Sequence, residues 1–441
     1  MKTISALLFL LMAFTPVFAQ EILNQYVNEA IKNNLLIREK KTNELRQGFQ
    51  LEEASRMWGP EVNFQANYTL AAGGRNIELP VGKLLNPVYS NLNELTENNQ
   101  FPMIEDESIH FLPNNFHDVK FRITQPILRP EIKYNKWIKA EEVDVAELQT
   151  AQTIRELTKD VKTAYLQWLQ AQEAIKIIDQ GLALLNENKR ITESLIRNGM
   201  AIPSGRMRIE SDIEVLKAKK QKVQSDVKNA AAYFNFLLHR DKEASIIPDT
   251  LQSIPSIPSL TVAEDREELL QIKKGMRIQD LALSLEEKHF APTLGVQLDI
   301  GSQAYGVDWG GYVLGGVGLE IPIWDNKKSN LRRQEWKASL EAHELNYAWT
   351  KSAFDIQLES EIENLKSDIT IYDSYTLLLA SNQRYYDETV RRYKEGLASY
   401  IELLDARTQV TQTQIEQNLA KFQSWIRMIN IERIAASTPI N

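Results

Sequence analysis

A chain of 441 residues, 43% of them hydrophobic and 25% charged, has the composition of a folded protein and the length for two or three ordinary domains. Its formal net charge of -8 argues against nucleic acid as a partner. Cysteine is absent, which excludes disulfides and any lipid anchor carried on a cysteine, so packing alone must hold the fold.

The chain opens with Lys2, the apolar run Ile4 to Phe14, and Val17-Phe18-Ala19 ahead of Gln20. That is the pattern of a cleaved secretory signal peptide over residues 1–19. The run is shorter than the roughly 17 residues that a spanning helix needs. No later segment is apolar for long enough to span as a helix, so any place in a membrane must come from strands.

Residues 21–57 read as a helix, with Ile22, Tyr26, Ala30 and Ile31 on one face, ended by Pro60. From there Val62, Phe64, Ala66, Tyr68 and Leu70 alternate with Glu61, Asn63, Gln65, Asn67 and Thr69. Side chains two apart share a face of a strand, so this segment is apolar on one side and polar on the other. Residues 72–118 carry Gly73-Gly74, four prolines and many asparagines, and read as a long polar loop without structure of its own. A second two-faced strand follows, with Val119, Phe121 and Ile123 against Lys120, Arg122 and Thr124, and stops at Gln125-Pro126.

The period then changes. Ile154, Leu157, Val161, Ala164, Trp168, Ala171, Ile175, Ile178, Leu182 and Leu185 step by three and four, the heptad pattern of helices wound on one another. After a turn at Gly199 to Gly205, which includes Pro203, the pattern resumes at Ile209, Ile213, Leu216, Val223, Val227, Ala230, Phe234 and Leu237. Residues 246–263, with Pro248, Pro255 and Pro258, read as a linker. A helix over 264–289 precedes Pro292 and a third strand, where Leu294, Val296, Leu298 and Ile300 alternate with polar or small residues. A short glycine-rich loop leads to a fourth strand, Gly316 to Ile323, interrupted at Pro322. Residues 325–395 form the longest helical stretch, with Leu358, Ile362, Leu365, Ile369, Tyr386, Val390 and Tyr393 in register. A turn at Gly396–Tyr400 begins the last helix.

The strands have the length of tilted membrane strands, about 9–11 residues. They also suit a half-buried sheet of a globular domain. Four strands cannot close a barrel, since the smallest spanning barrels have about 8. An open edge in lipid leaves backbone groups unpaired, so a membrane reading requires further subunits.

The two halves repeat. Phe290-Ala291-Pro292 parallels Trp58-Gly59-Pro60 at an offset of 232. Ile321-Pro322-Ile323 parallels Gln125-Pro126-Ile127 at 196, and Gly396 parallels Gly199 at 197. The change in offset places the extra residues of the first hairpin in the 72–118 loop. Each half is helix, strand, loop, strand, long helix, turn, long helix. The first spans residues 20–245 and the second 264–441, with 246–263 as the equatorial linker.

This duplicated order resembles the TolC family of outer-membrane efflux proteins over nearly the whole chain after residue 19. The most specific match is Tyr393-Lys-Glu-Gly396-Leu-Ala-Ser-Tyr400-Ile-Glu402-Leu-Leu-Asp405-Ala, which looks like the family's periplasmic tip. The resemblance implies a mixed α and β membrane protein. Three protomers, each giving four strands, close one twelve-stranded β-barrel above an α-helical coiled-coil barrel. It implies outer-membrane localisation with a long periplasmic extension, contact with outer-membrane lipid, and partners in a periplasmic adaptor and an inner-membrane transporter. The family's closed gate pairs an arginine two residues after the tip glycine with an aspartate on the neighbouring helix pair. Here those positions hold Ala398 and Gly205, so any lock must use other contacts.

Two sets of site residues follow. Glu402 and Asp405, three apart, share a helix face; with Tyr393 they are the candidate pore aperture, six carboxylates around a threefold axis, the alternative being carboxylates solvated on the outer face. Gly199, Pro203, Gly396 and Tyr400 are the candidate adaptor-contact tips. No catalytic, metal or cofactor site is expected. His110, His117, His239, His289 and His343 lack ligand spacing, and Gly315-Gly316-Val317-Gly318 sits in a strand pattern rather than a phosphate loop. Glu402 and Asp405 have no accompanying nucleophile or base, so the chain is not expected to be an enzyme. A conduit for efflux or secretion and a non-conducting exported coiled-coil scaffold remain as the two functional readings, with the export signal, repeat and strands favouring the first.

Overall fold

The structure, a computed structural model, describes residues 18–249 and 253–436. The expected signal peptide lies outside the described residues but for Phe18 and Ala19, which begin the first helix. In chain order the elements are α1 (Phe18–Asn33), α2 (Leu35–Arg56), β1 (Glu61–Thr69), β2 (Asn76–Leu79), α3 (Val81–Leu95), β3 (Glu107–His110), β4 (Phe116–Leu128) and α4 (Pro130–Arg197). Then come α5 (Ser204–Leu237), α6 (Glu267–Glu287), β5 (Thr293–Tyr305), β6 (Gly311–Glu320), α7 (Lys328–Lys394) and α8 (Tyr400–Ala435). They divide into two compact units. One holds the described parts of Met1–Phe49, Ala140–Asp280 and Lys337–Asn441; the other holds Gln50–Lys139 and Leu281–Trp336.

The first unit is helical. Its main core gathers Tyr26, Val27, Ala30 and Ile37 from α1 and α2, Leu157, Val161, Ala164 and Trp168 from α4, Phe234 and Leu237 from α5, and Phe422 and Ile429 from α8. Of the heptad residues of α4, Leu157, Val161, Ala164, Trp168, Ile178 and Leu185 are buried, and the others are half-buried. The expected helix over 21–57 is two helices. The Asn34 side chain accepts from the Leu36 backbone N–H at 2.9 Å, capping α2, and donates to the Leu237 carbonyl at 2.9 Å. The linker is non-helical where it is described, and it is tied to the helices. Tyr165 donates to the Ile247 carbonyl (2.9 Å), Trp425 to the Ser253 carbonyl (2.8 Å), and the Ala263 N–H to the Ala435 carbonyl (3.1 Å).

The second unit is built on one antiparallel sheet of order β1-β4-β5-β6. Each half of the repeat contributes one hairpin, and β4 with β5 joins the two. Register places Phe64, Phe121, Ile300 and Val313 side by side, with Val62, Ile123, Leu298 and Gly315 in the next row of the same face. That face is apolar and largely exposed: Val62, Phe64, Phe121, Ile300, Val313, Val317 and Leu319 all stand open. The other face carries Asn63, Gln65, Lys120, Arg122, Gln297 and Asp299. β1 and β6 are the edges, each paired on one side only.

Three expectations need correction here. The second strand does not stop at Pro126 but continues to Leu128, because the ladder to β5 shifts register between Pro126 and Leu128 and so accommodates a residue without an N–H. The fourth strand runs Gly311–Glu320 and ends before Ile321, ahead of Pro322. The 72–118 segment is not a bare loop. β2 and β3 pair with each other, and α3 lies between them in sequence. Its asparagines act as a substitute ladder. Asn86 donates to and accepts from the Ile104 backbone, both at 2.8 Å, and Asn93 does the same to Phe101 at 2.8 and 2.9 Å.

Candidate functional site

The two helix turns of the helical unit are built alike. At the first, the N–H of Gly199 bonds the Ile196 carbonyl (3.0 Å) and that of Met200 the Leu195 carbonyl (2.8 Å). At the second, the N–H of Gly396 bonds the Tyr393 carbonyl (3.1 Å) and that of Leu397 the Arg392 carbonyl (2.8 Å). This is the Schellman ending of a helix, and it needs a left-handed residue at the glycine position. Gly199 and Gly396 have φ of 71° and 74°, which a side chain would strain. The same cap therefore recurs 197 residues later, the repeat seen at backbone level. The turns lie side by side: a methyl added to Gly396 would sit 3.6 Å from Met200 Cε.

Pro203 occupies the N-cap of α5, where the missing N–H removes no helix bond. α8 starts on a capping box. Ser399 Oγ accepts from the Glu402 N–H at 3.3 Å, and the Glu402 carboxylate accepts from the Ser399 N–H at 3.0 Å and its hydroxyl at 2.9 Å. These donors hold the Glu402 carboxyl below its usual range. Asp405 is exposed and accepts from Gln409 Nε2 at 2.8 Å.

The helix pairs are joined by tyrosines. In α7, Tyr386 donates to Asn188 Oδ1 of α4 at 3.2 Å, and the Tyr393 hydroxyl lies 2.8 Å from the Thr192 hydroxyl of α4. Burial pushes the pKa of both phenols up. In α8, Tyr400 donates to Asp212 Oδ2 of α5 at 3.2 Å; burial and then the Asp212 charge raise its pKa. Around them pack Ile191, Leu195, Leu403, Ala406 and Val410.

Of the residues expected at the site, Gly199, Gly396, Pro203 and Tyr400 come together at the turns. Glu402 and Asp405 share the start of α8, one committed to its own cap and the other open. Tyr393 is buried between helices. Reading by residue type missed Ser399, whose S-x-x-E spacing was the available signal, and missed Asn188, Thr192, Asp212 and Arg407. Arg407 falls at a core spacing between Leu403 and Val410, where an apolar residue is the rule.

On the polar face of the sheet, Arg122 donates to Asp299 through Nε (2.9 Å) and Nη2 (2.8 Å). Lys120 bonds Asp118 at 2.6 Å, and Tyr312 donates to the same aspartate at 2.9 Å. The charges on this face are thus arranged in pairs. Among the described residues no His, Asp or Glu cluster has metal-binding geometry, and no helix is long and apolar enough to cross a membrane.

Comparison with known proteins places this geometry. The model of the outer membrane efflux protein family matches residues 280–437. A probable outer membrane lipoprotein, SilC of Salmonella typhimurium, is 24% identical over 271 residues, covering 57% of this chain and 55% of that protein. The chain thus matches about half the length of that curated relative. Among solved structures, the outer-membrane channel OprN superposes with a TM-score of 0.74 at 15% identity over 95% of this chain and 90% of its own. CusC gives 0.76 at 12% identity over 94% and 92%. The CmeC outer membrane channel of Campylobacter jejuni gives 0.74 at 15% identity over 94% and 85%. At such identities the structures establish the fold, and the family match covers the second half of the repeat. The chain is thus similar to the outer membrane efflux proteins over the second half of its repeat, and it shares the fold of outer-membrane channels over nearly its whole length.

Proposed function

We propose that three copies of this chain form a passive conduit across the outer membrane, carrying efflux or secretion cargo from periplasm to exterior. The observation that carries this reading is the sheet: four strands, two unpaired edges, one exposed apolar face and one polar face. Unpaired edges cannot stand in lipid, so β1 of each copy pairs with β6 of the next and the edges vanish in a ring of twelve strands. The apolar face then meets lipid, and the paired charges of Lys120, Arg122, Asp118 and Asp299 line water.

The exposed apolar residues Leu35, Leu45 and Phe49 of α2, and Leu345, Trp349 and Ile356 of α7, support the same assembly, since neighbouring copies would cover them. The turns at Gly199–Pro203 and Gly396–Tyr400 dock a periplasmic adaptor, which joins the conduit to an inner-membrane transporter that selects the cargo. The chain acts as a channel and needs no cofactor.

Planar lipid bilayers test the reading. Protein extracted in mild detergent is expected to give discrete single-channel steps. A correctly folded preparation that never conducts would leave the exported coiled-coil scaffold as the reading.

A further inference from the structure

The turn between β5 and β6 is braced at both ends. The Gly306 N–H donates to the Asn115 carbonyl, and His117 Nδ1 donates to the Gly306 carbonyl at 3.0 Å. The Gln303 N–H donates to the Gly310 carbonyl at 2.9 Å, and the Gly310 N–H to Ser302 Oγ at 3.0 Å. On this fixed turn Val307 is 99% exposed and Trp309 83% exposed, with the exposed Asp308 between them. The indole has a direction. A methyl on Gly311 would lie 3.0 Å from Trp309 Nε1. Gly311 is level with Ser302, Val119 and Ala66, on the apolar face of the sheet. Trp309 therefore lies over that face at the unpaired edge of β6.

The neck of the segment between β1 and β4 is its complement. Leu70, Phe111 and Leu112 are exposed there. The neck is braced too. The Phe111 N–H donates to the Arg75 carbonyl at 3.0 Å, the Arg75 guanidinium sits 5.1 Å from the centre of the Phe111 ring, and a methyl on Gly74 would lie 2.8 Å from Leu112 Cδ1. The turn, residues 305–310, carries one charge, Asp308. The neck, residues 70–75 and 111–115, also carries one, Arg75, of the opposite sign.

We propose that Val307, Asp308 and Trp309 of one copy seat on Leu70, Arg75, Phe111 and Leu112 of the next, so that each insert is clasped by its neighbour. This deepens the conduit reading and rests on its ring of strands. β6 runs opposite to β1 in the sheet, so where β6 of one copy pairs with β1 of the next, the start of β6 meets the end of β1. Ten residues of β6 against nine of β1, paired over their full length, set Gly311 beside Thr69 and Leu70. The turn then lies just beyond, at the neighbour's neck. Seating Val307 and Trp309 there removes two large apolar side chains from water, and Arg75 offers Asp308 a counter-charge. Burial of the same turn in lipid would bring the Asp308 carboxylate into an apolar medium with nothing to offset it.

Two measurements on the full chain test the contact. In native outer membranes, Val307→Cys is combined in turn with Leu70→Cys, Phe111→Cys or Leu112→Cys and oxidised. None of the four is buried in the single chain, so cysteine there leaves no cavity. At least one pair is expected to give disulfide-linked dimer and trimer on a non-reducing gel, while Val307→Cys alone stays monomeric. The second readout is the rate at which the trimer separates in heated detergent. Asp308→Arg and Arg75→Asp each bring like charges together and are expected to speed separation about fivefold, the scale of an exposed ion pair. The double reversal Asp308→Arg/Arg75→Asp restores the pair in the opposite sense and is expected within about twofold of wild type.

Absence of a link from Val307 to all three partners, in membranes where cysteines on β1 and β6 do link across the ring, would overturn the contact and leave the conduit standing. A link formed by Val307→Cys alone would set the turns against one another and overturn it as well. So would a double reversal that separates as fast as the single ones; if Trp309→Asp still speeds separation in that case, the turn seats in outer-leaflet lipid. Links from Val307 in protein that never conducts would support the contact and overturn the conduit.

Discussion

The Glu402 carboxylate turns back along its own helix and accepts the backbone N–H of Ser399 at 3.0 Å, while Ser399 Oγ accepts the N–H of Glu402 at 3.3 Å. This reciprocal pair fixes where α8 begins, directly after the Gly396 turn. Ser399→Ala is expected to cost about 1 kcal/mol of local helix stability, read as faster exchange of the Glu402 and Leu403 amides. Glu402→Gln should keep a weaker cap at every pH, because a neutral amide oxygen accepts less strongly than a carboxylate. The pH dependence has a definite sign. The folded-state pKa of Glu402 is depressed by its Ser399 donors, so the cap is fully present above the ordinary carboxyl range and is lost as pH falls through the lowered value. Protection of those amides, relative to the intrinsic exchange rate at each pH, should fall in acid in the wild type and stay flat in Glu402→Gln.

That commitment separates the two carboxylates of the proposed aperture. Asp405 is exposed and bonded only to Gln409 among the described residues, whereas Glu402 is partly spent on its cap. A ring of like charges in a narrow opening favours cations and binds multivalent ones. Channel block by trivalent cations added from the periplasmic side should be relieved more by Asp405→Ala than by Glu402→Ala, and most by the double variant, with reduced cation selectivity. Block of equal strength in all of them would place both residues away from the pore.

At the turns proposed to contact the adaptor, Gly396 separates backbone strain from bulk. Its φ of 74° makes any side chain costly, on the order of 1–2 kcal/mol for the left-handed region. A methyl there meets Met200 Cε at an ordinary 3.6 Å. Gly396→Ala should therefore lower export only modestly, while Gly396→Trp, which projects a large ring from the turn, should abolish it with trimer and membrane level unchanged. Export by the tryptophan variant would mean that docking runs along the helix flanks.

The insert between β1 and β4 is expected on the extracellular side, over the barrel mouth. Its neck is narrow: the Ala71 N–H donates to Asn114 Oδ1 at 3.1 Å, and Tyr68 bonds Asn115. A two-glycine bridge replacing residues 72–113 should leave the β1–β4 pairing intact and raise conductance and antibiotic entry. Unchanged permeability would make the insert a surface element without a role in passage.

Most of the architecture was readable because its causes are local. Phe64 beside Phe121, and the Leu157-Val161-Ala164-Trp168 row, follow from side-chain periods of 2 and 3.5. Gly199 and Gly396 marked the turns because their conformation demands glycine. What escaped depends on partners far along the chain. α3 has no side-chain cap within its own first turn, and the Lys83 N–H is met instead by Asp106, 23 residues on. Asn86 and Asn93 read as loop residues because their pairing with Ile104 and Phe101 has no periodicity. Pro126 read as a stop because the register shift beside it lies in the ladder to β5, which composition does not carry. Arg407 escaped for the opposite reason: its charge argued against the buried position that its spacing gave it.

The assembly itself is open to direct chemistry, because the chain has no cysteine of its own to confuse the result. Ala66→Cys on β1 can be combined in turn with Val313→Cys, Gly315→Cys or Val317→Cys on β6, residues that lie on the same face of the sheet at its two opposite edges. Within one copy β4 and β5 separate these strands, and a disulfide reaches only across adjacent backbones, with Cα atoms about 4.4–6.8 Å apart. Oxidation in native outer membranes followed by a non-reducing gel is the measurement. The expected result is dimer and trimer bands, with circular trimer predominating for at least one pair and collapsing to monomer on reduction. Monomer alone for every pair, from protein that is folded and in the membrane, would contradict closure of one barrel by three chains.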